Sequence, residues 1–240
     1  MTDPLFRDEI GRIQAEYERR AREIPADYYS STHGGNLFLH TQSRNAMIKI
    51  LKQGNFLPLT DKKILEVGCG SGAWLIDFEA WGANQSQLYG IDLNGDRLAN
   101  ARQRLPQADL RIGEASALPW EDETFDLVLQ STLFTSILNS NLKQKIAGEM
   151  LRVLKPCGVI LWYDFFYNNP KNSNVRGIGK KEIQNLFPGS PIRFQRITLG
   201  SPIARWLAPY SWRLCYLLEK MGFLNTHYLA RIGKSDTTPR

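Results

Sequence analysis

The sequence predicts an α/β fold: a doubly wound, mostly parallel seven-stranded sheet carrying a helical N-terminal extension. Short apolar runs alternate with amphipathic stretches from residue 62 onward, the pattern of strands covered on both faces by helices. A glycine-rich turn, Gly68-Cys69-Gly70-Ser71-Gly72, joins the first of these runs to the stretch after it. The 240 residues are 42% apolar and 22% charged. That suffices for one sizeable core and excludes a disordered, fibrous or disulfide-stapled chain.

Residues 1–61 show no strand pattern. Pro4 to Ile24 reads as an amphipathic helix with Ile10, Ile13 and Tyr17 on one face, ended by Pro25, because the residue before a proline avoids the α conformation. Tyr28 to Gly35 reads as a flexible segment with two aromatics at its start, and Leu39 to Leu51 as a second helix. Strands are predicted at 62–67, 88–92, 110–112, 125–130 and 159–163, with Lys155-Pro156-Cys157-Gly158 as a turn before the fifth. Helices are expected at Ala73–Trp81, Asp96–Leu105 and from the fourth strand to Leu154. Beyond them come a helix near Lys180–Phe187, a strand at Ile192–Leu199, one helix over Ile203–Met221 and a last strand at Tyr228–Ile232. Residues 1–61 are thus expected as a helical extension or lid and 62–240 as the α/β domain, with an insertion near 165–177.

The net charge of +6 is unevenly placed: residues 1–140 sum to −5 and residues 141–240 to +11. A basic final third suits an anionic partner or a solvated face and names neither. It carries no nucleic-acid signature, so no specific nucleic acid is expected. Three scattered cysteines without Cys/His spacing predict no metal site and a reducing, cytoplasmic setting. The N-terminus shows no apolar signal core, and the long charge-free run near Leu127–Leu142 is too polar to span a bilayer.

The glycine turn carries the chemistry. Glycines let a backbone turn sharply and approach a ligand that a Cβ would block. Gly68, Gly70 and Ala73 fit the dinucleotide pattern, which is weak alone. Asp92, 24 residues after Gly68, ends the second strand, where a carboxylate accepts ribose hydroxyls. Glu66, just before the turn, would repel a pyrophosphate but favour an ammonium or sulfonium. Glu114 follows the third strand, within reach of an adenine amino group. Such a pocket suits a ligand with a cationic end and no phosphates.

The successive stretches ILEVGCGSGAW, YGIDLN, GEASALPWEDETFDLVLQS and EMLRVLKPCGVILWYDF resemble the ordered motifs of class I S-adenosylmethionine-dependent methyltransferases, close to the small-molecule type. The resemblance runs from Lys62 to Phe165 and implies a Rossmann-like domain that binds S-adenosyl-L-methionine. By position, it implies Glu66, Gly68 and Gly70 for the methionine part, Asp92 and Leu93 for the ribose and adenine, and Glu114 and Ala115 for the adenine. Family members often carry Asp where Glu114 stands. Gln130 is implied along the methionine moiety.

The reaction implied is transfer of a methyl group to an O or N atom of a small molecule, such as a secondary metabolite or a sugar or glycan precursor. Such chemistry rests mainly on alignment, worth roughly 7–11 kcal/mol, with a general base adding about 10²–10⁴-fold. His40 and Asp164 are the candidate bases. Tyr29, His33, Tyr163 and Phe166 are candidate acceptor contacts, and the aromatic, amide-rich insertion with Lys171 and Arg176 is expected to shape specificity. The segment Pro202–Met221 is expected to be a core helix, with an amphipathic lid or membrane-surface contact as the alternative. An NAD(P)-dependent oxidoreductase on a similar sheet and a non-enzymatic binding module are the competing functions. A nucleic-acid methyltransferase is a further one, for which no target-recognition domain is apparent.

Overall fold

The computed structural model of the chain describes residues 6–25, 27–30, 32–170 and 172–234. Two helices, α1 (Arg7–Glu23) and α2 (Gly34–Gln53), precede the first strand, β1 (Ile64–Val67). Strands and helices then alternate: α3 (Ala73–Ala80), β2 (Leu88–Asp92), α4 (Gly95–Arg104), β3 (Asp109–Ile112), β4 (Phe125–Ser131), α5 (Ser140–Val153) and β5 (Leu154–Phe165). The remainder is α6 (Lys180–Leu186), β6 (Ile192–Leu199), α7 (Ser201–Leu207), α8 (Trp212–Met221) and β7 (Asn225–Gly233).

The seven strands form one sheet in the order β3-β2-β1-β4-β5-β7-β6. The first five neighbours are parallel, and β7 runs antiparallel to both β5 and β6. Strand order reverses between β1 and β4, so the crevice beyond their carboxyl ends is where an open α/β sheet binds its ligand. The central strands are apolar nearly throughout because both faces are packed. Leu65, Val67 and Val128 face a core shared with α1 and α5, while Ile64, Leu127 and Leu129 face one shared with α2, α3 and α4.

Three departures from the elements read in the sequence have a definite physical cause. The segment expected to be flexible up to Gly35 gives way to helix at Gly34, because tertiary contacts hold it. Buried Asn36 donates to the carbonyls of Tyr28 (2.7 Å) and Ser30 (3.0 Å) and accepts from Arg205 Nε (3.0 Å). A Cβ on Gly35 would stand 2.4 Å from Arg205 Cα, so only glycine lets α2 approach α7 so closely. The expected turn at 155–158 lies inside β5 as a bulge: pairing with β4 jumps from Phe125↔Leu154 to Leu127↔Val159. The single helix expected over Ile203–Met221 is two helices. Pro209, lacking an N–H, interrupts it, and the Ser211 side chain caps α8 by accepting from Leu214 N (3.2 Å). Pro4 and Leu5, Ser31 of the flexible segment and Lys171 of the insertion lie outside the described residues.

Candidate active site

The glycine turn is fixed by the strand beside it. The N–H groups of Gly68 and Cys69 both donate to the carbonyl of Ile91 (2.8 and 3.0 Å), and Gly72 closes the turn onto Cys69 (2.8 Å). Gly68, Gly70 and Gly72 have φ of 76°, 51° and 72°, a left-handed region that side chains enter only at a cost. Asp92 links the turn to the next loop. Its Oδ2 accepts from Gly70 N (2.7 Å) and its Oδ1 from Asn94 N (2.8 Å), leaving further lone pairs of the carboxylate for a ligand. Asn94 in turn caps α4 by accepting from Arg97 N (2.9 Å).

Above this turn opens a cleft of about 770 Å³ with the open solvent at its mouth included. Gly68, Asp92, Leu93, Glu114 and Ala115 line it, together with Arg97 from α4 and Ser131, Thr132 and Leu133 from the end of β4. Glu66, Gly70 and Gln130 lie next to the turn without lining the cleft. Two buried polar atoms there have no partner: Glu66 Oε2 and Gln130 Nε2. Burial, reinforced by the charge of Asp92, raises the Glu66 carboxyl well above the usual carboxylate range. Gln130 Oε1 accepts from Leu133 N (3.2 Å) and so shapes the loop after β4.

Helix α1 covers the cleft with Ile10, Ile13 and Tyr17. It is latched from both sides. Glu9 accepts from the backbone N–H of Leu138 and of Asn139 (3.2 Å), and Arg12 donates to the carbonyl of Ser136 (2.7 Å). Glu16 accepts from the side-chain amides of Asn172 (3.1 Å) and Asn174 (2.8 Å), tying the cover to the 165–177 segment. The Arg19 guanidinium, with those two amides, holds the Glu16 carboxyl down at about 2.

The proposed acceptor contacts are dispersed. Tyr163 hydrogen-bonds Thr198 (2.9 Å), stacks on His227 (4.9 Å between centroids) and packs against Trp74, whose indole N–H donates to Ser131 (3.0 Å). Burial pushes the Tyr163 hydroxyl up to about 12 and the His227 imidazole down to about 4. Phe166 lies against Tyr228 with the Arg196 guanidinium over its ring. Tyr29 and His33 are exposed in the connection between α1 and α2, Tyr29 accepting from Arg20 (3.1 Å) and His33 standing 3.7 Å from Asp27. His40, on α2, is half-buried, and desolvation first and the Arg44 charge second push its imidazole below the ordinary value. Asp164 is fully enclosed. Its carboxylate accepts from Thr135 Oγ1 (2.7 Å), Thr135 N (3.2 Å) and Phe165 N (3.0 Å), and burial raises it to about 7. None of His33, His40, Tyr163 and Asp164 lines the cleft.

Some cleft residues were not singled out in the sequence. Arg97 sits over the Tyr17 ring at 5.4 Å and against Gly70. It falls on an ordinary amphipathic helix, so nothing in its local pattern marks it. Ile10, Ile13 and Tyr17 were visible as an apolar face, but not what they cover.

The residues fit S-adenosylmethionine. Asp92 and Glu114 line the cleft with carboxyl groups, Ile10, Ile13 and Leu93 supply apolar wall, and the buried Glu66 Oε2 beside the turn, without a partner, suits a donor group rather than a phosphate. A family model described as a methyltransferase domain matches residues 64–158. A demethylmenaquinone methyltransferase of Listeria monocytogenes is 24% identical over 217 residues, 83% of this chain and 84% of its own length. A phthiotriol/phenolphthiotriol dimycocerosates methyltransferase of Mycobacterium tuberculosis is 30% identical over 172 residues, 70% of this chain and 58% of its own. The match to an uncharacterized protein of Haemophilus influenzae, 33% identical, spans 54% of this chain and about half of the relative's length (52%). Among solved structures, a putative sarcosine dimethylglycine methyltransferase from Galdieria sulphuraria superposes with a TM-score of 0.60 at 16% identity, covering 81% of this chain and 86% of that one. Sheet order, the glycine turn and the match over residues 64–158 give this chain the class I S-adenosylmethionine-dependent methyltransferase fold, with a methyltransferase domain at its centre.

Proposed function

We propose that the chain transfers a methyl group from S-adenosylmethionine to an O or N atom of a small, largely apolar molecule with a hydroxylated head. When bound, the cofactor supplies an activated methyl on a sulfonium. The observation that carries the reading is the buried, unpartnered Glu66 Oε2 beside the glycine turn of a cleft lined by Asp92 and Glu114. Asp92 and Glu114 would hold the nucleoside, Glu66 the ammonium group, and Arg97 the carboxylate of the amino-acid part. Helix α1 would exclude water by laying Ile10 and Ile13 over the cleft. The relatives named for demethylmenaquinone and for phthiotriol dimycocerosates support an acceptor of lipidic character.

Neither of the candidate bases, His40 and Asp164, reaches the cleft, so transfer would rest on alignment of the acceptor against the methyl group, with its proton passing to solvent. Asp164 is saturated by Thr135 and Phe165 and would instead position the 134–136 turn at the cleft wall. The test is release of S-adenosylhomocysteine with phenolic, quinol and polyol acceptors. Turnover with at least one is expected. Absence of product with every acceptor, despite cofactor binding, would refute the proposal.

A further inference from the structure

Away from the cleft, the helical pair α7–α8 exposes an apolar surface that the fold does not use. Among the described residues, eight of the thirteen exposed large hydrophobic side chains fall between Trp206 and Phe223. Trp206 is 72% exposed, Tyr210 82%, Met221 62% and Phe223 64%. Scattered apolar side chains on a surface are ordinary, but a contiguous cluster marks an interaction site.

The arrangement on α8 is specific. The only buried residue of this ten-residue helix is Cys215, and Trp212 on the same side packs edge-on against Phe38. The opposite face carries two neighbouring stripes at helical spacing: Leu214, Leu217 and Met221, and beside them Arg213, Tyr216 and Lys220. The Lys220 ammonium lies 4.8 Å from the centre of the Tyr216 ring. The one acid of α8, Glu219, is turned inward and accepts from Thr198 N (3.0 Å), so the outward charge is wholly cationic. Apolar groups flanked by tyrosine, tryptophan and cations are the composition of a helix lying in the interfacial layer of a bilayer. Among the described residues no helix is long and apolar enough to cross a membrane.

We propose that α7–α8 is a docking face for an anionic lipid bilayer, with Leu214, Leu217, Met221 and Phe223 entering the interface and Arg213 and Lys220 pairing with lipid phosphates. A second copy of the chain fits the face less well. A two-fold contact sets the same patch against itself and would bring Arg213 and Lys220 towards their own counterparts. A surface bearing anionic phosphates complements them instead. The proposal stands independently of the acceptor. Arg205, next to Trp206, holds the rings of Tyr28 and Tyr29 (4.3 and 5.8 Å) in the connection that follows the α1 cover, so docking would occur beside the cover's own tether.

The test is co-sedimentation of the full chain with phosphatidylcholine vesicles and with equimolar phosphatidylcholine–phosphatidylglycerol vesicles. Binding to the anionic vesicles alone, weakening with salt, is expected. Replacing Arg213 and Lys220 together by glutamine should weaken binding about 30-fold, since each juxtamembrane cation accounts for roughly a fivefold change. Leu217→Glu should abolish it, with the circular dichroism spectrum and S-adenosylhomocysteine affinity of both variants unchanged as evidence of an intact fold. Equal binding to neutral vesicles, no binding to either, or unaltered binding by the variants would overturn the proposal. So would a wild-type dimer that Leu217→Glu turns into a monomer, which would assign the face to self-association.

Discussion

Replacing Asp92 by alanine tests the heart of the cleft. The carboxylate makes two charge-assisted bonds to backbone amides, Gly70 N at 2.7 Å and Asn94 N at 2.8 Å, and offers its remaining lone pairs to the ribose. A hydrogen bond to a charged group is worth about 1.5–3 kcal/mol. Losing the ribose contact alone should therefore weaken S-adenosylhomocysteine binding by about 10- to 150-fold. The two orphaned amides sit in the loops that shape the cleft, so stability should also fall, by about 1–3 kcal/mol, the cost of an unsatisfied buried donor. Asp92→Asn separates the two effects, because its single oxygen can keep one amide while its amino group faces the other donor. It should recover part of the stability but little of the affinity. Titration calorimetry reads the affinity and urea unfolding the stability. An Asp92→Ala protein that binds the cofactor product within twofold of wild type would refute the assignment.

Other outcomes follow from the same structure. Ile13→Ala removes a buried contact between α1 and the cleft and should lower stability by about 2–4 kcal/mol. It should also speed cofactor release by more than tenfold in stopped-flow displacement; unchanged release would mean that α1 does not act as a cover. Burial keeps the His227 imidazole down at about 4, so the unfolded chain takes up its proton near 6.5 while the folded chain does not. Its contribution to stability is full above pH 6.5 and is lost as pH falls towards 4, by up to about 3 kcal/mol. Against wild type, His227→Gln should therefore gain relative stability over that interval in urea titrations, and a difference independent of pH would contradict it. Asp164, raised to about 7, acts in the opposite sense. Its native state retains a proton between pH 3.8 and 7, so stability declines as pH rises through that range, and Asp164→Asn should flatten this slope.

Much of the fold was legible because local signals agreed. Each central strand is an apolar run bounded by turn residues, and the glycine turn and Asp92 fall at the strand ends that face the ligand crevice. Helix starts and breaks were less legible where distant contacts decide them. Asn36 and Gly35 extend α2 only because α7 lies against them, and the bulge at 155–158 depends on its pairing with β4. Pro209 breaks the helix expected over Ile203–Met221, because the apolar spacing runs on across the proline while its missing N–H ends α7. Of the cleft, sequence order showed the floor and the acids. It could not show the cover's latches, since Glu9 meets Leu138 across 129 residues and Glu16 meets Asn174 across 158. Nor could it separate Asp164, whose partner Thr135 comes from another loop, from a side chain open to the acceptor.

The most direct measurement is a calorimetric titration of the chain with S-adenosylhomocysteine and, in parallel, with NAD. A saturable one-to-one heat with the first and none with the second is the outcome expected of a cleft lined by Asp92 and Glu114, with Glu66 buried beside its glycine turn. Saturation by NAD, with S-adenosylhomocysteine silent, would contradict it.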